Sequence, residues 1–522
     1  MGGLQNLPDG TQSFKLLRKK NEIYVDKTAM IYELTKGRGK IFLSRPRRFG
    51  KTLLVSIFAS LFKYGMRDFH GLAIEKLWDD TTYEVLQLDF STFTAFDSVE
   101  RFESNFRSML QVRFGRLGFK PSGNPALFMA EFADWMFDFE DGDIVLLIDE
   151  YDAPLAKVIN DEKLFLGIQN IMSEFFNILK SNEGAFRFIF LTGITRYNNT
   201  SIFSGFNNLN DISMDPDYGT LLGYTEEELV HYFGDYLKKG SEILNISVEE
   251  LLGQMREYYD GFSFDEKGST HVYCPWSVLK FFKKFEFDNY WFMSSGQPQV
   301  LMHFLARRKL EKPLDFFETV AMDVMQLKTS APYSQLDTNV LLQQTGYYTI
   351  RSVDEGGVLR LGYPNREVES SMARLYAREM VSNQSFTPQP ILTALLRGDV
   401  DEVMALVNRA FHALNYQNYP IRDEASFQAF MQVLMIGLCL NPQVEVHTAK
   451  GRSDMELEAG DNYWVFEFKY AKSGKDPKAL CKAAADQIRE KDYGNTLHSG
   501  RLIRVGIVFD EKRRQITDWK VV

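Results

Sequence analysis

The sequence predicts an α/β fold: a parallel sheet wrapped in helices, then a helical region, then a second, smaller α/β domain. Three observations carry this. Short apolar runs at Lys40–Leu43, Glu84–Phe90, Ile144–Ile148 and Phe186–Leu191 alternate with helical patterns such as Leu164–Leu179. From about Gly223 the apolar spacing becomes helical. Over residues 386–522 strands and helices alternate again.

Strands of nearly continuous apolar residues, joined through helices, belong to a parallel sheet buried on both faces. The first is followed by a loop and an apolar helix from Thr52 to about Lys63. The third is closed by Asp149-Glu150, the fourth by Thr192-Gly193. Thr225-Glu226-Glu227-Glu228 opens the helical region with the spacing of a capping box, Thr225 as cap and Glu228 reaching back. Further on, Gly346–Ile350, a turn at Asp354–Gly357 and Val358–Leu361 form a hairpin behind a helix, a winged-helix-like arrangement. Ser382–Pro390, polar with two prolines, reads as a linker.

In the last domain a helix at Glu424–Leu438 precedes strands at Gln443–Thr448, Met455–Glu458 and Tyr463–Tyr470. Turns at Lys450–Ser453 and Gly460–Asn462 separate them. A helix, Pro477–Lys491, and a final strand, Ile503–Phe509, follow. The expected division is 1–215 for the sheet domain with its lead segment, 216–300 for a helical lid, 301–385 for the winged-helix-like region and 386–522 for the last domain.

A chain of 522 residues exceeds what one core can hold. Its 45% hydrophobic and 25% charged residues describe an ordinary folded protein, with 43 phenylalanines an unusual excess. A net charge of -10 argues against a surface coated for nucleic acid, without excluding a local basic groove. The cysteines, Cys274, Cys439 and Cys481, form no CxxC pair, so neither a zinc site nor a disulfide framework is expected. The first residues lack an apolar signal core and no run of about 18 apolar residues occurs, so a cytoplasmic protein without a membrane segment is expected.

Between the first strand and its helix lies Ser44-Arg45-Pro46-Arg47-Arg48-Phe49-Gly50-Lys51-Thr52. A phosphate-binding loop needs backbone N–H groups and a helix N-terminus facing the phosphates. Arg47, Arg48, Phe49, Gly50, Lys51, Thr52 and Leu53 supply that frame, Lys51 for the β and γ phosphates and the Thr52 hydroxyl for Mg²⁺. Arg45 stands where a glycine is usual, and Pro46 removes a donor. By itself the loop also fits a basic turn capping a helix. Asp149 weighs against that: it ends a pure apolar strand, where an acid holds Mg²⁺, with Glu150 beside it to activate a water. Thr192 and Arg196, at the next strand end, are candidates to sense the γ-phosphate, a solvated loop being the alternative for Arg196. ATP and Mg²⁺ are the expected cofactors of a P-loop NTPase sheet.

The second site lies in the last domain. Glu467 and Lys469 are two apart on a strand and share a face, while Phe468 points to the other. If that strand pairs with its neighbour as a hairpin, Asp454 reaches the same spot. Two carboxylates and a lysine suit metal-assisted phosphodiester cleavage, with Asp454 and Glu467 holding Mg²⁺ and Lys469 positioning water or stabilising charge. A surface charge ladder has the same composition. Against it, Tyr463-Trp464-Val465-Phe466 makes the strand otherwise apolar. Arg452, Gln487, Lys491 and Tyr493 are candidates for phosphate contacts, a solvated helix face being the alternative for the last three.

Tyr24-Val25-Asp26-Lys27-Thr28 and the loop from Phe42 to Thr52 resemble the divergent bacterial AAA-ATPase-like proteins of Bacteroidetes type, in which Ser-Arg-Pro-Arg-Arg-Phe-Gly-Lys is the usual P-loop. Leu147–Asp152, Thr192–Arg196, Tyr259–Phe262 and Leu361–Val368 extend the resemblance. Gly451–Asp454, Phe466–Lys469 and Gln487–Tyr493 resemble the PD-(D/E)xK nuclease domain that such proteins carry, a restriction-endonuclease-like fold. The resemblance implies an ATPase joined to a Mg²⁺-dependent nuclease acting on DNA. The alternative is a signalling-type ATPase switch or scaffold whose last domain binds nucleic acid or a partner without cutting. Homo-oligomer formation stays open, and Asp26 and Lys27 have no role beyond the signature.

Overall fold

The computed structural model describes residues 4–79, 81–139, 142–196, 209–294, 317–328, 337–381, 389–448, 450–495 and 500–522. The linker expected at Ser382–Pro390 falls almost wholly outside them. By contacts the chain divides into two compact units. One holds the described residues up to Ser294 together with Thr319–Glu367, the other residues 317–318 and those from Val368 onward.

The first unit is built on a five-stranded sheet of order β2-β3-β4-β1-β5. Its strands are β1 (Gly39–Ser44), β2 (Glu84–Asp89), β3 (Ile144–Asp149), β4 (Phe186–Gly193) and β5 (Asn210–Asp211). Every pairing is parallel, as the apolar runs predict. All residues of β3 are buried, because helices cover both faces. The phenylalanine excess finds its place here. Phe102, Phe106, Phe114, Phe132 and Phe175 fill the layer between sheet and helices, often edge to face. With parallel strands, the P-loop after β1, Asp149-Glu150 at the end of β3 and the end of β4 gather at the C-terminal end of the sheet.

The helical region begins as expected. Thr225 caps the helix Glu226–Leu244, with Glu228 completing the capping box. Leu229, Phe233 and Leu237 of that helix share a core with Met255, Phe281 and Phe282, and Ile23 and Val25 of the lead segment join it. The hairpin is β7 (Thr349–Val353) and β8 (Val358–Gly362). A short strand not read from the sequence, β6 (Val320–Asp323), adds to β8.

The second unit carries a five-stranded mixed sheet, β13-β12-β11-β10-β9. These are β9 (Gln443–Thr448), β10 (Gly451–Ala459), β11 (Asn462–Ala471), β12 (Arg501–Asp510) and β13 (Gln515–Val521). The pair β11–β12 is parallel and the others antiparallel. Two expectations are corrected. The strand read as Met455–Glu458 starts at Gly451, so the expected turn residues Gly451–Ser453 and Asp454 lie within it. The Thr448 hydroxyl accepts from the N–H groups of Lys450 and Gly451, which tightens the turn and frees Arg452 and Ser453 to pair. And β12 is not the last strand, since β13 returns beside it.

Candidate functional sites

In the phosphate loop the helix Lys51–Tyr64 starts at Gly50, whose φ of 92° is open to glycine at little cost. Lys51 is buried, and its ammonium donates to the carbonyls of Arg45 and Pro46, each at 2.9 Å. Pro46 lacks an N–H but supplies a carbonyl that holds the lysine across its own loop. Burial lowers the Lys51 pKa, with Glu150, Asp152 and Asp149 opposing the shift.

Arg45 explains the missing glycine. Its guanidinium turns away into the protein, donating to the carbonyls of Ser44 (2.9 Å), Ser213 (2.7 Å) and Tyr218 (3.0 Å). It also lies 4.4 Å over the Phe264 ring. Burial pushes its pKa down to about 9. The loop is thus anchored by a side chain where a glycine loop relies on backbone alone. Phe49 is likewise a packing residue, edge-on to Phe262 and Phe264.

A cavity of about 360 Å³ opens over the loop, lined by Arg47, Arg48, Gly50, Lys51, Thr52, Leu53 and Glu150 on one side. Tyr224, Pro275, Trp276 and Leu279 face them from the helical region. Arg48 bridges the two walls: its guanidinium stacks 4.3 Å from the Trp276 ring and donates to the Ser294 carbonyl. Asp149 hydrogen-bonds the Thr52 hydroxyl, and burial raises its pKa. Its Oδ1 is buried without a partner among the described residues. A hydroxyl and an unsatisfied carboxylate oxygen beside a phosphate loop fit Mg²⁺, a hard cation that keeps few protein ligands. Glu150 sits at φ 51°, a left-handed backbone that is strained for a glutamate, and burial raises its pKa too.

Of the expected residues, Phe49, Asp149, Thr192 and Arg196 do not line this cavity, and the last two have partners elsewhere. The Thr192 hydroxyl donates to the Leu43 carbonyl at 2.8 Å, because a fully buried hydroxyl between strands takes the nearest acceptor. Arg196 lies 3.7 Å from Asp211, and its N–H donates to Gln344. The end of β4 is fastened by Asp152, which accepts from Ile194, Thr195 N–H and the Thr195 hydroxyl.

In the second unit the strands converge as the spacing requires. The Lys469 ammonium donates to Glu467 Oε1 (2.7 Å) and to the Phe468 carbonyl (2.9 Å). Phe468 packs on Phe427, on the opposite face. Asp454 Oδ2 accepts from the Phe468 N–H at 2.6 Å, so the two strands are tied at the site itself. Glu467 is fully buried, and burial together with the Asp454 charge lifts its pKa to about 7, against the pull of Lys469. Burial also raises Asp454. For Lys469, burial works downward, but its hydrogen bond to Glu467 and the surrounding carboxylates leave it raised. Glu467 Oε2 is buried without a partner among the described residues. Two carboxylates with an unsatisfied oxygen fit a divalent cation. No group of three or more His, Cys, Asp or Glu able to hold an ion occurs among the described residues, so water and substrate oxygens would complete either shell.

One residue here escaped the sequence reading. Glu424, first in the helix Glu424–Gly437, lies 3.8 Å from the Lys469 ammonium and is raised by burial. Its place at a helix start reads as a helix-end charge, and nothing in spacing links it to a strand some forty residues on. Gln487 donates to the Tyr493 hydroxyl at 3.3 Å. Tyr493 and Lys491 both pack against Gly451 at the start of β10. Arg452 forms an exposed ion pair with Glu445.

Comparison with known proteins agrees with this division. Residues 8–203, which contain the P-loop and Asp149-Glu150, match the family model described as "Predicted AAA-ATPase". Residues 422–519, with Glu424, Asp454, Glu467 and Lys469, match the PD-(D/E)XK nuclease superfamily. A protein from Azotobacter chroococcum mcd 1, described as "Uncharacterized protein in vnfD 5'region", is 29% identical over 534 residues, covering 99% of each chain. The chain therefore carries a segment, residues 8–203, that matches the predicted AAA-ATPase family model and, toward its C-terminus, a segment, residues 422–519, that matches the PD-(D/E)XK nuclease superfamily.

Proposed function

We propose that the chain binds and hydrolyses ATP with Mg²⁺ and that nucleotide state governs a Mg²⁺-dependent DNA nuclease, in the cytoplasm. The observation that carries the nuclease reading is the convergence of Asp454, Glu467 and Lys469, with one buried Glu467 oxygen left unsatisfied among the described residues. A charge ladder on a solvated surface has no reason to bury its glutamate. In the reading, Asp454 and Glu467 hold the ion and Lys469 orients water or offsets charge on the scissile phosphate. At the other site Lys51 neutralises the phosphates, Thr52 and Asp149 hold Mg²⁺, and Glu150 takes the proton of the attacking water. Mg²⁺, when bound, polarises the phosphate oxygens at each centre.

Cleavage of plasmid and single-stranded DNA is measured with Mg²⁺, with and without ATP. Asp454→Ala and Lys469→Ala are expected to abolish cutting while ATP binding persists; cutting that survives in both variants overturns the nuclease assignment. Lys51→Ala and Glu150→Gln are expected to lose turnover by about a hundredfold or more. Unchanged turnover in both sinks the ATPase assignment.

A further inference from the structure

The chain carries a net charge of -10, yet its lead segment gathers cations. Phe14–Lys19 forms a short helix whose Phe14 and Leu17 are buried. Phe14 packs on Phe69 with ring centroids 4.8 Å apart, and its N–H donates to the Ser56 hydroxyl at 2.9 Å. Burial of positions 14 and 17 turns Lys15 and Lys19, one helical turn apart, outward together. Arg18 fastens the helix to the chain beyond the P-loop helix, donating to the carbonyls of Asp68 (3.2 Å) and His70 (2.6 Å). Between the two segments lies a cleft of about 470 Å³, lined by Lys15, Arg18, Lys19, Arg67, Asp68 and His70.

The carboxylate in this cleft is already engaged. Asp68 accepts from Arg67 Nε (3.1 Å) and Nη2 (2.7 Å) and from the Ser60 hydroxyl. Burial works upward on its pKa, but those bonds leave it lowered, so it stays ionised against Arg67. Glu75, beside the cleft, is taken by His70 and by the Gly71 N–H. Lys15 and Lys19 form no ion pair among the described residues, and Arg18 meets only uncharged carbonyls. Like charges one turn apart repel, so these three cations are held together without a carboxylate to offset them. Lys63 and Arg67, 5.6 Å and 3.7 Å from the Tyr64 ring, extend the charge along the rim. Arg67 thereby occupies one face of Tyr64, and no Phe, Tyr or Trp lines the cleft among the described residues. Unpaired bases find no ring there on which to stack.

We propose that this cleft holds the sugar–phosphate backbone of duplex DNA, with Lys15, Arg18 and Lys19 set against its phosphates. The first unit thus has a DNA contact of its own, made of residues other than the carboxylates of the second. The choice of DNA among anionic partners rests on the nuclease reading of the second unit. A contact of this kind carries charge and no base information, so it is independent of sequence and weakens steeply with salt. Lysines that were merely solvated would leave DNA affinity and its salt dependence untouched.

The test is binding of a labelled duplex of about 30 base pairs to the full chain in EDTA, across a salt series, by fluorescence anisotropy. The double variant Lys15→Gln with Lys19→Gln changes only exposed side chains. It is expected to lose about tenfold or more in affinity, and the slope of log K against log salt is expected to shrink by about two. Lys238→Gln with Lys239→Gln removes the same charge from the exposed side of the helix Glu226–Leu244 and is expected to bind as wild type does. Wild-type affinity and slope in the first pair, or an equal loss in the second, overturns the cleft. So does a single strand bound more tightly than the duplex, or binding through Lys15 and Lys19 to vesicles of phosphatidylcholine and phosphatidylserine but not to DNA. A wild type that cuts plasmid with Mg²⁺ yet binds no duplex in EDTA overturns the cleft alone. A wild type that neither binds nor cuts removes the nuclease reading and this inference with it.

Discussion

Arg45 turns a departure from the glycine-rich loop into a structural anchor, and its removal has a definite cost. Arg45→Ala strands three carbonyl acceptors, those of Ser44, Ser213 and Tyr218, and empties the face of Phe264. The expected loss is about 2–4 kcal/mol of stability, read by urea denaturation, with any nucleotide affinity lost in proportion to unfolding. Glu367 makes a second prediction. It is fully buried, accepts from the Ser277 hydroxyl at 2.8 Å and from the Trp291 N–H, and burial lifts its pKa from 4.5 to about 8. The folded state binds this proton more tightly than the unfolded chain does. Its contribution is therefore complete below pH 4.5 and is lost as pH rises through 8. Glu367→Gln should fold near normally at neutral pH and flatten the fall in stability between pH 5 and 9. An unchanged pH profile would show that Glu367 is ionised in the fold.

At the scale of elements, two signature segments meet. Gly261, at φ 92°, lies against the loop after β8 so closely that a Cβ would stand 2.1 Å from the Pro364 carbonyl oxygen. The Asn365 amide donates to the Asp260 carbonyl at 2.7 Å. Gly261→Ala is expected to cost about 3 kcal/mol or more, since both backbone strain and a backbone clash oppose it. A thermal unfolding midpoint equal to wild type would refute that contact. The sequence showed these motifs but not their contact, because pairing between segments a hundred residues apart leaves no periodicity. The same holds at the sites. Purity of β3 and the i, i+2 spacing in β11 made Asp149, Glu467 and Lys469 legible, as period and burial are local properties. Glu424 was not legible, since only the fold carries it to Lys469. Thr192 and Arg196 were read from their position at a strand end, but the direction of a buried hydroxyl follows from the nearest free acceptor, not from position.

For the whole molecule, the two compact units allow separate responses to separate ligands. Saturating ATP with Mg²⁺ is expected to raise the unfolding temperature of the transition that contains the P-loop, through binding to the native state alone. Lys51→Ala removes that shift, whereas Asp454→Ala retains it; calorimetry of the full chain reads both. Equal shifts in wild type and Lys51→Ala would place the nucleotide elsewhere. The order of residues along the chain adds a consequence for synthesis. Closure of the first unit requires Pro364, Asn365 and Glu367 to reach Asp260, Gly261, Ser277 and Trp291. In the closed unit Trp291 backs the P-loop, its indole donating to the Arg47 carbonyl at 3.0 Å. Asp454, Glu467 and Lys469 are translated later still. The residues that close the first unit are thus all translated before the carboxylate cluster of the second, so the first unit can fold while the second is still being made.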